Sequence, residues 1–110
     1  MIDWRRIADL RAEIGADDFS EVVDMFIDEV ECEIATLRGG CCADTLEARL
    51  HYLKGSALNL GFTSFAEFCQ RGESAAAAGQ AGKIDLPGTI DSFDASKVEF
   101  ISGLRQRASP

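Results

Sequence analysis

The strongest constraint on the fold is a long run of apolar residues spaced three and four positions apart, between positions 18 and 38. This spacing is the period of an α-helix with one buried face. The acidic residues of the same stretch fall off that face. The sequence therefore predicts a long amphipathic helix that must pack against other helices. Its apolar residues are Phe19, Val22, Val23, Phe26, Ile27, Val30, Ile34 and Leu37.

Similar stripes, separated by glycines and capping residues, predict four more helices. Asp18 with Glu21 resembles a capping box, and Pro87 fits the first turn of the last helix. No sustained period-two alternation predicts a strand. The predicted fold is all-α, an antiparallel up-down-up-down four-helix bundle with a short additional N-terminal helix. The five predicted helices cover residues 3–14, 18–38, 44–60, 64–78 and 87–106 of a single domain, and the last is expected to bury Ile90, Phe93, Ile101, Leu104 and the stem of Lys97.

Composition and charge narrow the function. The 110 residues are 46% hydrophobic, which is typical of a globular domain. No apolar run approaches the ~20 residues of a membrane span, and the first residues lack the apolar core of a signal peptide, so we expect a cytoplasmic protein that does not enter a membrane. The net charge of −8 disfavours nucleic acid and anionic lipid as partners.

The four cysteines do not suggest a metal centre. Cys41 and Cys42 are adjacent in a predicted turn, and no Cys-x-x-Cys pair occurs. With a single histidine, the chain lacks the ligand spacing of a zinc site. In a reducing cytosol we expect free thiols, with Cys32 and Cys69 serving as small residues of the bundle.

The only histidine, His51, lies in the third predicted helix. The apolar stripe of that helix points about 140° away from it, so His51 should face water. Lys54 and Gly55 follow one turn later and Leu58 two turns later on the same face. A glycine costs a helix about 0.5–1 kcal/mol relative to alanine, and Gly55 would let a partner approach the imidazole closely. The stripe consists of Leu46, Leu50, Leu53, Ala57 and Leu60.

These residues resemble a known signature. His51-x-Leu53-Lys54-Gly55-Ser56-Ala57-x-x-Leu60-Gly61 is similar to the motif of histidine-containing phosphotransfer (HPt) domains. In the fourth predicted helix, Phe65-x-x-x-Cys69-x-x-Gly72-Glu73 follows the family pattern except that Gly72 replaces the usual leucine. We expect Phe68 to fill the space that Gly72 leaves.

The resemblance implies that His51 accepts a phosphoryl group on Nε2 from a receiver-domain aspartate and passes it to another receiver. The expected partners are receiver domains of response regulators and hybrid histidine kinases. No cofactor of the chain's own is implied, because Mg²⁺ is expected on the partner receiver, and a monomer is implied.

Several residues are candidates for supporting roles. Lys54 could stabilise the phosphoryl oxygens, since phosphoryl transfer depends on positioning and charge. Glu47, one turn before His51, could orient the ring or be a solvated carboxylate. Ser56 is expected to make a local hydrogen bond. Gly55 and Leu58, with Met25 from the flank of the second helix, could form the docking surface.

Three other functions stay open at this point. A helical adaptor or dimerisation module would need no chemistry at His51. A metal-binding bundle enzyme would need inward Glu-x-x-His repeats, which the sequence lacks. An autokinase dimerisation domain would need a nucleotide-binding domain, and no Gly-rich nucleotide motif occurs in the chain.

Overall fold

The protein is a bundle of antiparallel helices. The structure is a computed structural model that describes residues 2–40 and 43–108. The helices begin and end within two residues of the predicted bounds, and a short 3₁₀ turn lies in the predicted loop. They are α1 (Trp4–Ile14), α2 (Ala16–Arg38), α3 (Ala43–Asn59), α4 (Thr63–Ala77), the 3₁₀ turn (Ala81–Lys83) and α5 (Leu86–Ala108).

Polar pairs between helices show their directions. Arg49 of α3 contacts Glu33 of α2 at 2.9 Å, and one turn later Tyr52 donates to Glu29, one turn earlier in α2. The helices α2 and α3 are therefore antiparallel. Further pairs relate α3 to α4 and α2 to α5 in the same way, which confirms the predicted up-down-up-down bundle. These pairs are His51–Glu73, Lys54–Gln70, Arg38–Asp94 and Lys97–Glu31.

The predicted stripes of α2 and α3 form the core. Leu50 and Leu53 of α3 are fully buried, and Val30 and Ile34 of α2 are buried against the same interior. Aromatic rings fill the centre, where Phe65 of α4 packs against Phe93 of α5 with ring centroids 5.3 Å apart. The third helix is thereby held with one face inward and the His51 face outward.

The prediction for α5 was wrong at one position. Ile101 is 37% exposed, whereas the neighbouring Phe100 is buried. The buried stripe of α5 includes Thr89 and Ser96. Because both residues are polar, the spacing of the hydrophobic residues alone does not show which face of α5 is buried. Lys97 lies beside this stripe, half-buried, and its ammonium contacts Glu31 of α2.

The predicted Asp18–Glu21 cap was also wrong, because α2 begins earlier. Gly15 ends α1 and immediately precedes α2, with φ of 100°. A positive φ strains other residues, so a glycine suits this corner. Asp17 and Asp18 then lie in the first turn of α2, where carboxylates interact favourably with the helix dipole.

The first helix is tied to the turn that follows the histidine helix. The Asp3 N–H donates to the Gly61 carbonyl oxygen at 2.7 Å, and Arg6 donates to the Asn59 carbonyl oxygen at 3.2 Å. Gly61 has φ of 70°, and a Cβ there would lie 2.7 Å from the Asp3 oxygen. Trp4 stacks on Phe100 of α5 with centroids 6.0 Å apart. α1 therefore fixes the C-terminal end of α3.

Leu50 and Ile84 fill the space at Gly72. The prediction that Phe68 fills it was wrong. A Cβ on Gly72 would lie 2.7 Å from Leu50 Cδ1 and 3.3 Å from Ile84 Cγ2. Phe68 is half-buried, and its ring lies under the Arg71 guanidinium at 5.3 Å. Gly72 therefore allows α4 to approach α3 closely one residue before Glu73.

Replacing Gly72 with leucine, the usual residue of the family pattern, should lower the free energy of unfolding by about 1–3 kcal/mol, because the buried site has no room. Gly55→Ala is the control, because it replaces a glycine of a helix at a position where a side chain has room. Nothing lies within 4 Å of a Cβ at Gly55, so alanine should stabilise the helix by about 0.5–1 kcal/mol. Urea unfolding followed by circular dichroism checks both values, and a stabilised Gly72→Leu protein would contradict the packing described.

The two described cysteines differ in exposure. Cys69 is buried as expected, but Cys32 is exposed, contrary to the prediction. Burial, and secondarily the charge of Glu73, raise the pKa of the Cys69 thiol to about 12, so this cysteine remains a thiol. Cys41 and Cys42 lie outside the described residues.

Within the part of the chain that the structure describes, none of the helices combines the length and the apolar character that a membrane span requires.

Candidate functional site

His51 lies on the outward face of α3, as its distance from the apolar stripe predicts. Its side chain is 70% exposed. The α3 backbone is held from its inner side by Leu50 and Leu53, which are fully buried and point away from the imidazole. The imidazole is therefore presented to solvent from a rigid element.

The imidazole has a carboxylate partner on the neighbouring helix. His51 Nδ1 lies 2.7 Å from Glu73 Oε2 of α4. The Glu73 side chain is only 14% exposed, so this carboxylate lies at the edge of the α3–α4 interface. The contact restrains the ring from one side and leaves the Nε2 side of the ring facing outward.

Lys54 contacts the same carboxylate. Its ammonium lies 2.9 Å from Glu73 Oε1 and donates to Gln70 Oε1 at the same distance. Gln70 in turn donates from Nε2 to Ser74 Oγ at 3.0 Å. A continuous chain of polar contacts thus runs from α4 through Lys54 and Glu73 to the imidazole.

The charge state of Glu73 follows from these contacts. The hydrogen bond from Lys54, and then that from His51, lower the pKa of Glu73 below its ordinary value. The carboxylate is therefore ionised at neutral pH and can only accept hydrogen bonds.

The ionised carboxylate selects the tautomer of the neutral imidazole. Since Glu73 can only accept, Nδ1 of His51 must carry the proton. The lone pair of the neutral ring then resides on Nε2, the nitrogen that the contact leaves outward. An exposed, oriented nitrogen nucleophile beside one ammonium is suited to accepting a phosphoryl group.

Comparison with protein families agrees with this geometry. The family model described as "Hpt domain" matches residues 21–97, which include most of α2, all of α3 and α4, and the first half of α5. The chain belongs to the Hpt domain family. The match covers His51, Lys54, Gln70 and Glu73. Comparisons with curated proteins and with solved structures found no match.

The outward face of α3 in this Hpt domain brings together three of the predicted residues. Gly55 and Leu58 lie on it with His51, and Leu58 is 55% exposed. Ser56, one residue beyond Gly55, is half-buried at the edge of this face.

The orienting contact predicted for Glu47 is made by Glu73 instead. Glu47 is exposed on α3 one turn before His51. Nδ1 of His51 is hydrogen-bonded to the Glu73 carboxylate of α4, which is largely buried at the interface between the two helices. Neighbouring residues on one exposed helix hold each other less firmly, because both side chains remain mobile in water.

Met25 lies on the flank of α2 that faces α3. It is 52% exposed and precedes Glu29, the residue that accepts from the Tyr52 hydroxyl, by one turn. The antiparallel pairing places Met25 level with the turn of α3 that contains Ser56. Tyr52 is also exposed, so Met25, Tyr52 and Leu58 provide apolar surface on the two helices around His51.

The sequence interpretation missed Glu73, Gln70 and Tyr52. A signal for Glu73 was available, because it lies one turn after the inward Cys69 in the same motif. A carboxylate at the inner edge of a helix requires a partner. Among residues 2–40 and 43–108, no group of three histidine, cysteine or acidic residues is arranged to hold a metal ion.

Proposed function

We propose that this Hpt domain is a phosphorelay intermediate in two-component signalling, in which His51 accepts a phosphoryl group from a receiver-domain aspartate and passes it to another receiver. The observation that carries the proposal is the exposed imidazole whose Nδ1 is bonded to Glu73. The protein would act as a phosphocarrier, because the family model that matches it is that of the Hpt domain.

The chemistry follows from the atoms at the site. The Nε2 lone pair of His51 attacks the phosphorus of the aspartyl phosphate, the phosphorus–oxygen bond breaks, and the aspartate leaves as a carboxylate. The ring keeps its Nδ1 proton and gains positive charge as the N–P bond forms. The Glu73 carboxylate, 2.7 Å away, offsets that charge.

Lys54 would supply positive charge to the phosphoryl oxygens. Its ammonium is on the α4 side of His51, restrained by Glu73 and Gln70. The Mg²⁺ that phosphoryl transfer requires would be carried by the receiver, whose own acidic residues would bind it.

The docking surface in this proposal consists of Gly55 and Leu58 on α3 and Met25 on α2, with Tyr52 between the two helices. An apolar surface of this kind suits transient recognition of a receiver domain. The bare Gly55 position would let the receiver backbone approach the imidazole. Ser56 would support the edge of this surface.

The proposed partners are receiver domains of response regulators and of hybrid histidine kinases. The proposed working form is a monomer, and the proposed setting is the cytoplasm. The monomer follows from the family resemblance, and the cytoplasm is the setting expected from the sequence.

The test is phosphoryl acceptance from a receiver. The protein is incubated with a ³²P-labelled phosphorylated receiver domain and Mg²⁺, and the label is treated with acid and with alkali. Because the chain contains one histidine, an acid-labile and alkali-stable label on the peptide that contains His51 identifies the acceptor. We expect such a label, and its transfer to a second receiver. A protein that remains unlabelled by a panel of phosphorylated receivers would favour the helical adaptor instead.

A further inference from the structure

The position of the Lys54 ammonium depends on two acceptors of α4. An ammonium group has three N–H donors and no acceptor. Glu73 Oε1 and Gln70 Oε1 each lie 2.9 Å from Nζ, so two of the three donors point into α4. The Lys54 side chain is 23% exposed, which leaves the third donor a path toward solvent.

The orientation of Gln70 is itself determined. Its amide nitrogen donates to Ser74 Oγ at 3.0 Å, and this contact turns the amide oxygen toward Lys54. Glu73 and Ser74 lie three and four residues after Gln70 and thus share one face of α4 with it. The lysine is held by a neutral acceptor and a charged one at once.

We propose that Gln70 is a positioning residue for phosphoryl transfer. It holds the Lys54 ammonium in place, so that Glu73 stays bonded to His51 and Lys54 stays near the phosphoryl oxygens. This role rests on the proposed function of His51. It differs from the role of Glu73, because Gln70 makes no contact with the imidazole and acts only through Lys54.

The physical reason is competition for Glu73. Lysine is a flexible four-carbon stem with a point charge. Without the Gln70 oxygen, the ammonium has only the Glu73 carboxylate as an α4 partner and can move over both of its oxygens. It would then compete with His51 Nδ1–H for Oε2 and move away from the phosphoryl position. Holding reacting groups in place is a large part of phosphoryl-transfer catalysis.

The experiment replaces Gln70 with leucine, which has a similar size and no acceptor. Gln70 is exposed, and leucine is a good helix former, so the fold should be retained. The matched control is Gln80→Leu, the same substitution at an exposed residue of the turn after α4. Transfer rates are measured from a phosphorylated receiver across receiver concentrations, for these proteins and for Lys54→Ala with and without Gln70→Leu.

We expect Gln70→Leu to lower the maximum transfer rate roughly three- to tenfold while the receiver concentration for half-maximal rate stays unchanged. Gln80→Leu should transfer like the wild type. In the Lys54→Ala background, Gln70→Leu should have no further effect, since its only route to the reaction has been removed. Ser74→Ala should show a smaller decrease of the same kind.

A spectroscopic measurement follows the restraint directly. The ¹⁵N-labelled Lys54 ammonium should give a protected NMR signal in the wild type that Gln70→Leu loses. A Gln70→Leu protein with unchanged rate, or one that slows transfer equally when Lys54 is absent, overturns the positioning role and leaves the phosphoacceptor intact. A wild-type protein that accepts no phosphoryl group overturns the proposed function, and the positioning role with it.

Discussion

The His51→Gln protein is expected to accept no phosphoryl group from any receiver while keeping its helicity and its stability. The imidazole supplies the nucleophile, and an amide nitrogen has no lone pair available for attack. The fold should be unaffected because the side chain is 70% exposed and Glu73 keeps its contact with Lys54. The change in the free energy of unfolding should be within about 0.5 kcal/mol, as for most surface substitutions.

Labelling and thermal unfolding of the same preparations check this expectation. A second variant moves the imidazole instead of removing it. Ala48→His in the His51→Gln background places a histidine one turn earlier on the exposed face of α3, away from the Glu73 and Lys54 positions. We expect no label on this protein. Label on His51→Gln itself would rule out His51 as the acceptor, and label on the relocated histidine would show that any exposed imidazole suffices.

The Leu53→Asp protein is expected not to fold. Leu53 is fully buried on the α3 stripe, two residues after His51. Loss of the large apolar side chain costs about 2–5 kcal/mol, and an unpaired buried carboxylate costs about 3–5 kcal/mol more. Their sum, about 5–10 kcal/mol, is comparable to the whole stability of a domain of this size, about 5–15 kcal/mol, so the native bundle should be largely lost. Loss of helical circular dichroism at 25 °C is the measurement.

Leu58→Asp is the matched control on the same helix. The substitution is chemically identical, but Leu58 is 55% exposed. We expect the free energy of unfolding to change by less than about 1 kcal/mol. Because Leu58 belongs to the proposed docking surface, transfer should instead require a higher receiver concentration. A folded Leu53→Asp protein would show that the orientation of α3 is wrong.

Much of the fold could be predicted because α2 and α3 bury unmixed apolar stripes. Leu46, Leu50 and Leu53 follow a helical period with no polar interruption, so the position of His51 on the opposite face could be inferred from spacing alone. The fifth helix was harder, since Thr89 and Ser96 occupy its buried stripe and Ile101 lies outside it. A hydrophobicity pattern assigns such positions to the wrong face.

The site was predicted only in part because its decisive contact joins two helices. The spacing in α3 placed Lys54 and Gly55 near His51 and suggested Glu47 as the orienting carboxylate. Glu73 lies 22 residues from His51 in the chain and meets it only because α4 folds back along α3. The close approach at Gly72, next to Glu73, also depends on Leu50 from the other helix. Contacts of this kind require the register between helices, which the pattern of one helix does not contain.

The docking of Trp4 makes intrinsic fluorescence a local probe of one end of the molecule. Trp4 is the only tryptophan, and it stacks on Phe100 where α1 meets α5. Its emission therefore reports the detachment of α1, whereas far-ultraviolet circular dichroism reports the helices of the whole bundle. Comparison of the two signals during denaturation measures whether the segment that secures the end of the histidine helix separates together with the core or ahead of it.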